Sequence, residues 1–309
     1  MKLTFSLIVI LLAISSMLAQ ESLDLVTLSG RYGFPQKYDS AYQGKATETG
    51  GLFNAKLPIP LNKEQTTIWY NDLLYSPVSV SNSETMSAEI ANPIKLHGFI
   101  LQTGLVKKFS NGTALQILFV PRFMTDFENV NGKNWQFGGI GLFEKRYHEK
   151  LMMRFGLLYN QELFGPILTP LVHLDWKFAP KWSIVGMLPI YAKINYHASE
   201  NLTMGFSHFG LTTTYRLGNV AYENDYIERS SIDLTLFLRQ RIAGNIHIEG
   251  RFGYALSRKY EQYTEDQKLD LRVIIFNFGD NRVQKNTSFN DGPIANIRLV
   301  YNLPLTDKE

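Results

Sequence analysis

The chain has no cysteine among its 309 residues, and charged residues make up only 19% of it. Without cysteine, neither a disulfide-stapled scaffold nor a cysteine-built zinc site can form. The 31 Lys and Arg against 28 Asp and Glu leave a formal net charge of +3, too balanced to argue for a nucleic-acid partner. Long apolar runs are equally scarce: after Gln20 no window approaches the ~18 uninterrupted apolar residues of a membrane helix. What is abundant is apolar and aromatic surface, 45% hydrophobic and 13% aromatic with 20 Phe and 16 Tyr, which excludes disorder. Composition leaves open whether that surface is a core or a belt facing lipid.

Residues 1–20 combine Lys2, an apolar run from Phe5 to Leu12 and small residues before Gln20. This predicts a secretory signal peptide over 1–19, cleaved after Ala19, and a single domain over 20–309. The apolar run is too short for the ~20 residues of a membrane anchor.

Beyond the leader the recurring pattern is alternation with period two. In residues 244–256, Ile246, Ile248, Phe252, Tyr254 and Leu256 fall on one face, and His247, Glu249, Arg251 and Ala255 on the other. The same division sets Val172, Leu174, Trp176 and Phe178 against His173, Asp175 and Lys177, and Ile232, Leu234, Leu236 and Leu238 against Asp233, Thr235, Arg239 and Arg241. About fourteen such segments, each near the 9 to 11 residues that cross a bilayer at a tilt, begin near residues 23, 46, 66, 94, 112, 135, 151, 168, 181, 204, 230, 245, 268 and 293. This predicts an all-β fold, a single transmembrane antiparallel β-barrel of about 12 to 14 strands.

Outer-membrane barrels alternate short periplasmic turns with longer external loops. Short joints occur at Asn111-Gly112, His148 to Lys150 and Ala179 to Lys181, between longer polar stretches at 33–45, 76–92, 126–134, 194–203 and 279–292. Two joints break the rule: Ala243 to Asn245 falls outside though very short, and 218–229 falls inside though long. Either one strand is miscounted there or the barrel has an inverted pair of connections. Aromatics at segment ends add interfacial girdles, with Tyr147, Trp176, Trp182, Tyr215 and Tyr301 at the periplasmic rim and Trp135, Tyr159 and Tyr191 at the other. A soluble sandwich would need charge-rich outer faces and about seven to nine strands, whereas these polar faces carry Gly, Thr, Ala and Phe.

On this signal, strand pattern and rim aromatics, the chain resembles the uncharacterised outer-membrane β-barrel families common in Bacteroidota. Segments such as Phe206 to Leu217 and Ile246 to Leu256 look like strands of that family. The resemblance implies residence among outer-membrane lipid and insertion by the barrel-assembly machinery, which reads the last strand, 293–303, with Tyr301 as its aromatic. It carries no substrate and fixes no oligomeric state.

Charge on a lipid face costs several kcal/mol at mid-bilayer, so charged strand residues belong in the lumen. The expected lumen lining is Arg154, His173, Asp175, Lys177, Arg216, Asp233, Arg239, Arg241, Glu249, Arg251, Asp270, Arg272 and Arg298. Two readings stand. One is passive passage or binding of a small solute through a weakly anion-selective lumen; the other is a closed structural or surface-interaction barrel plugged by cross-lumen ion pairs. An outer-membrane lipid-modifying enzyme is a third, in which His173 and Asp175 share a face and Asp233 joins them from another strand. Ser207 and His208 are strand neighbours on opposite faces and cannot pair directly. The six histidines show no ligand spacing, and no cofactor or metal is expected.

Overall fold

The computed structural model describes residues 22–39, 44–222 and 224–304, so the expected leader over 1–19 lies outside the described residues. Alternation becomes strand along nearly the whole remainder. The strands are β1 (Ser22–Lys37), β2 (Lys45–Pro60), β3 (Thr67–Asn82), β4 (Ile94–Lys108), β5 (Thr113–Thr125), β6 (Trp135–His148), β7 (Leu151–Glu162) and β8 (Gly165–Ala179), followed by β9 (Trp182–Leu188), β10 (Tyr191–His197), β11 (Leu202–Arg216), β12 (Tyr226–Ala243), β13 (Ile246–Tyr263), β14 (Leu271–Val273), β15 (Phe276–Phe278) and β16 (Gly292–Pro304). From β1 to β13 each strand pairs antiparallel with the next, β16 follows β13, and β16 pairs back onto β1 from Ser22↔Pro304 to Gly33↔Ile294. Fourteen strands thus close a barrel, and closure leaves no edge to satisfy in lipid.

Connection length alternates along most of the chain. Joints 61–66, 109–112, 149–150, 180–181, 198–201 and 244–245 lie at one end with both termini of the barrel, and Gly112 and Gly244 take the positive φ that two of these tight turns require. The opposite end carries 38–44, 83–93, 126–134, 217–225 and 264–291, together with two tight turns, 163–164 and 189–190. These two ends are the short-turn end and the loop end.

The strand count expected from sequence is right, but two strands in it are not. The segment expected to begin near 181 is two strands, β9 and β10, folded back at Pro189-Ile190, and alternation runs through a two-residue turn without a break. The segment expected near 268 is not a wall strand. It lies in the 264–291 connection, where β14 and β15 form a small hairpin laid parallel on β8 at Ile167 and Leu168. Shifting the count by one across this stretch puts both anomalous joints, 243–245 and 218–229, on their expected sides.

The outward face is the apolar belt: Leu236 is 70% exposed, and Ile117, Phe119, Phe252 and Ile297 are exposed beside it. Trp176, Trp182 and Tyr147 are exposed near the short-turn end and Trp135 and Tyr159 near the other, as rim girdles. Two aromatics expected at the rims lie elsewhere: Tyr215 is buried inside the loop end, and Tyr191 sits beside the 189–190 turn. An arginine at position 236, central on β12, should cost about 2–4 kcal/mol of folded stability in lipid. Leu236→Arg is therefore expected to cut refolding yield into vesicles sharply, measured as the fraction of heat-modifiable protein, while Leu236→Ala refolds nearly as wild type.

The inward face is packed. Ala46, Val78, Leu96, Met124, Tyr215 and Ile227 belong to an apolar cluster that fills the loop end, and Leu23, Ile68 and Leu303 form a smaller one at the short-turn end. Between them, Leu118, Val120, Ile140, Leu142 and Leu171 line the wall from β5 to β8.

Candidate functional site

The lumen opposite that apolar wall is built from charge, because β1, β2, β12, β13 and β16 alternate apolar residues outward with arginines and carboxylates inward. Two carboxylates organise it. On β2, the fully buried Glu48 meets Arg31 Nε at 2.8 Å and Arg229 Nη2 at 3.3 Å through Oε1, and Arg258 Nη1 at 3.5 Å through Oε2. The Tyr260 hydroxyl also donates to Glu48 Oε1, at 2.9 Å. Arg31 binds Asp233 on β12 as well, and the Ser231 hydroxyl donates to that carboxylate at 2.6 Å. β2 and β12 are four strands apart along the wall, so these bonds cross the lumen.

Nearer the short-turn end, Glu249 on β13 accepts from Lys193 Nζ at 2.8 Å, Arg251 at 2.6 Å and Arg298 at 2.7 Å, with Arg239 at 3.8 Å. Arg239 in turn grips Asp24 through two bonds of 2.7 and 3.1 Å. This layer gathers four cations around two carboxylates. Lys193 also stands 4.7 Å over the ring of Phe237, which packs its stem. A water-filled pore would leave inward side chains exposed; instead Ser207, Thr235, Glu249, Ile294 and Val300 are all buried.

The loop end is clasped by a third set. Because β9 and β10 are short, the upper half of β11 is paired only with β12 until Arg216 meets Thr125 of β5, and its free edge takes side chains from β5, β6 and β7 instead. Glu162 Oε2 accepts from the Thr214 amide at 2.9 Å, Gln136 Nε2 donates to the Thr214 carbonyl at 3.0 Å, and Arg122 binds both Glu162 and Thr213. Above it, Glu228 holds Arg272 at 2.6 Å and Arg282 at 2.8 Å, tying the β14–β15 connection to β12. Arg282 also donates to Asp280 and holds its carboxyl down at about 2, so the Asp280 carboxylate stays ionised through the neutral range.

Of the residues expected to line the lumen, Asp233, Arg239, Glu249, Arg251 and Arg298 come together in the two networks. Arg154 faces inward and pairs with Glu144 at 2.7 Å. His173, Asp175 and Lys177 share the inward face of β8. Arg216 is buried at the loop end, 3.2 Å from Glu265. Arg241 is exposed at the short-turn rim, donating to Asn201 Oδ1 at 2.6 Å. Asp270 is exposed and Arg272 buried in the loop-end connection, because the wall strand expected there does not exist. The His173–Asp175–Asp233 grouping does not form: Asp233 is engaged by Arg31 and Ser231, and neither ring nitrogen of His173 has a hydrogen-bond partner among the described residues. Sequence reasoning passed over Asp24, Arg31, Glu48 and Lys193. The first two strands are weakly alternating, and Lys193 was hidden in the unrecognised β10.

The family described as "Domain of unknown function (DUF6268)" matches residues 15–302, and the chain belongs to that family. No curated protein matches. Among solved structures, an outer membrane channel from Pseudomonas putida F1 is 14% identical, with 91% of this chain and 97% of that one covered at a TM-score of 0.42. The translocator domain of the autotransporter NalP from Neisseria meningitidis is 10% identical over 89% of this chain and 86% of that one, TM-score 0.36. The NanC porin is 11% identical over 89% and 98%, TM-score 0.34.

Proposed function

We propose that this family member is an outer-membrane channel that rests closed, its lumen held by ion pairs that must part to pass a small anionic solute. The observation that carries the reading is the buried Glu249 layer, where four cations share two carboxylates. A barrel needing only a filled interior gains no stability from such a layer, since buried ion pairs replaced by apolar residues of similar volume are often neutral or more stable. Excess positive charge in a narrow passage selects anions. In this reading the leader over 1–19 directs export, the short-turn end faces the periplasm, and the barrel-assembly machinery inserts the chain through its last strand. No enzymatic step is assigned to it.

Purified protein in planar bilayers is the test. Brief, small conductance steps with anion preference are expected; stable insertion with no steps at any voltage the membrane tolerates would leave the closed structural barrel in its place. The apolar cluster sealing the loop end favours that second reading, in which the 83–93 and 264–291 connections bind a partner at the surface. It requires that deleting either connection changes a surface phenotype.

A further inference from the structure

The seven-residue strands β9 and β10 stop halfway up a wall whose other strands run to 12 residues or more. On β8, Val172 is the uppermost residue paired with β9 and Leu168 the lowermost paired with β14, so 169–171 have no strand partner on that side among the described residues. At about 3.3 Å per residue this gap is about 13 Å tall. Across it, β11 is matched to β10 only as far as Phe209 and has no strand partner on that edge over 210–215 among the described residues, before Arg216 pairs with Thr125 of β5. The wall therefore has a window, bounded below by the Pro189-Ile190 turn and above by the β14–β15 hairpin.

Behind the window, apolar and aromatic side chains lie between a histidine and a carboxylate. Register places His173, Met187, Tyr191, Phe209 and Asp233 in a single row around the inner face, each the direct partner of the next. Tyr191 is 40% and Phe209 39% exposed, although the register turns both inward and inward residues on the charged side are buried. Unfilled space therefore lies beside them. Ile190 and Met187 join it to the apolar wall at Leu171. At its inner end His173 is 1% exposed with both ring nitrogens unpartnered, and a buried polar group without a partner costs about 1–3 kcal/mol unless something supplies one.

We infer that this window is the mouth of a binding site for a phenol-class molecule, an apolar ring bearing one hydrogen-bonding group, which packs against Met187 and Tyr191 and pairs with His173. The inference goes beyond the channel reading, whose solute is a small anion, and rests on the geometry of the wall alone. The aromatic lining selects a ring, and imidazole pairs with a hydroxyl as either donor or acceptor.

The test uses the folded, detergent-solubilised protein with 1-naphthol as fluorescent probe and naphthalene as its counterpart without a hydroxyl. Saturable binding of 1-naphthol is expected. Met187→Trp, filling the space, should abolish it, and Tyr191→Ala should weaken both probes. His173→Phe should lower 1-naphthol affinity about tenfold while changing naphthalene less than about twofold. Only variants that keep heat-modifiable migration are scored. Non-saturable partitioning that is the same in every variant would overturn the site, and equal loss of both probes in His173→Phe would overturn the role of His173. Binding without conductance would remove the channel and keep the site; conductance without binding would do the reverse.

Discussion

Glu48→Gln is expected to lower the stability of the barrel by about 3–5 kcal/mol. The carboxylate is fully buried and is shared by Arg31, Arg229 and Arg258, so its neutralisation leaves three guanidinium groups with only Asp233 near them. The magnitude reflects the stranded cations more than the lost bonds, because the penalty for an uncompensated buried charge exceeds the net gain of a satisfied pair. It should appear as a marked fall in the temperature at which the folded band converts to the unfolded one on a gel. Adding Arg31→Met to Glu48→Gln should recover part of the loss by removing one stranded charge. Glu64→Gln, in the exposed 61–66 turn, should move that temperature very little.

Glu249→Gln is expected to make conductance steps more frequent and longer, with anion preference above that of wild type, while the Glu48 network and the loop-end cluster still close the barrel between them. Lys193, Arg251 and Arg298 all close on this one carboxylate, and they come from β10, β13 and β16. With glutamine in place, four like charges share the layer with Asp24 alone, and at separations of a few ångströms in a low-dielectric interior their repulsion is several kcal/mol. They relieve it by swinging apart and admitting water. Stability should fall by an amount comparable to the Glu48 variant, so current must be compared per folded molecule. An unchanged current in a stably folded Glu249→Gln protein would remove this layer from the gating account.

The strand pattern was legible wherever one face had to meet lipid. Ile246, Ile248, Phe252 and Leu256 fall on the lipid face of β13, and Glu249 and Arg251 on the face turned into the lumen. Legibility failed where alternation is not diagnostic. Tyr191 and Ile194 belong to a strand seven residues long whose turn preserves the rhythm of the one before it, and Leu269, Leu271 and Val273 alternate inside a connection that meets the wall only at Ile167 and Leu168 of β8. The site was half legible for a related reason. Asp233, Arg239, Glu249, Arg251 and Arg298 lie on strongly patterned strands, whereas Glu48 and Arg31 lie among glycines and short polar residues where neither face is marked. The window could not be read at all: it is an absence of pairing, created by the length of two strands and by the reach of Glu162 and Gln136 to Thr214.

Because the chain has no cysteine, a single one can be placed on the inner face and read without background. Thr235 is buried at mid-lumen, within hydrogen-bond reach of Ser207 and on the face shared by Glu249. In vesicles carrying Thr235→Cys, a charged, membrane-impermeant thiol reagent should label the wild-type background slowly and the Glu249→Gln background fast. Rapid labelling in the wild-type background, equal to that with Glu249→Gln, would mean that the resting lumen is an open, water-filled pore, and would contradict a channel held closed by its own ion pairs.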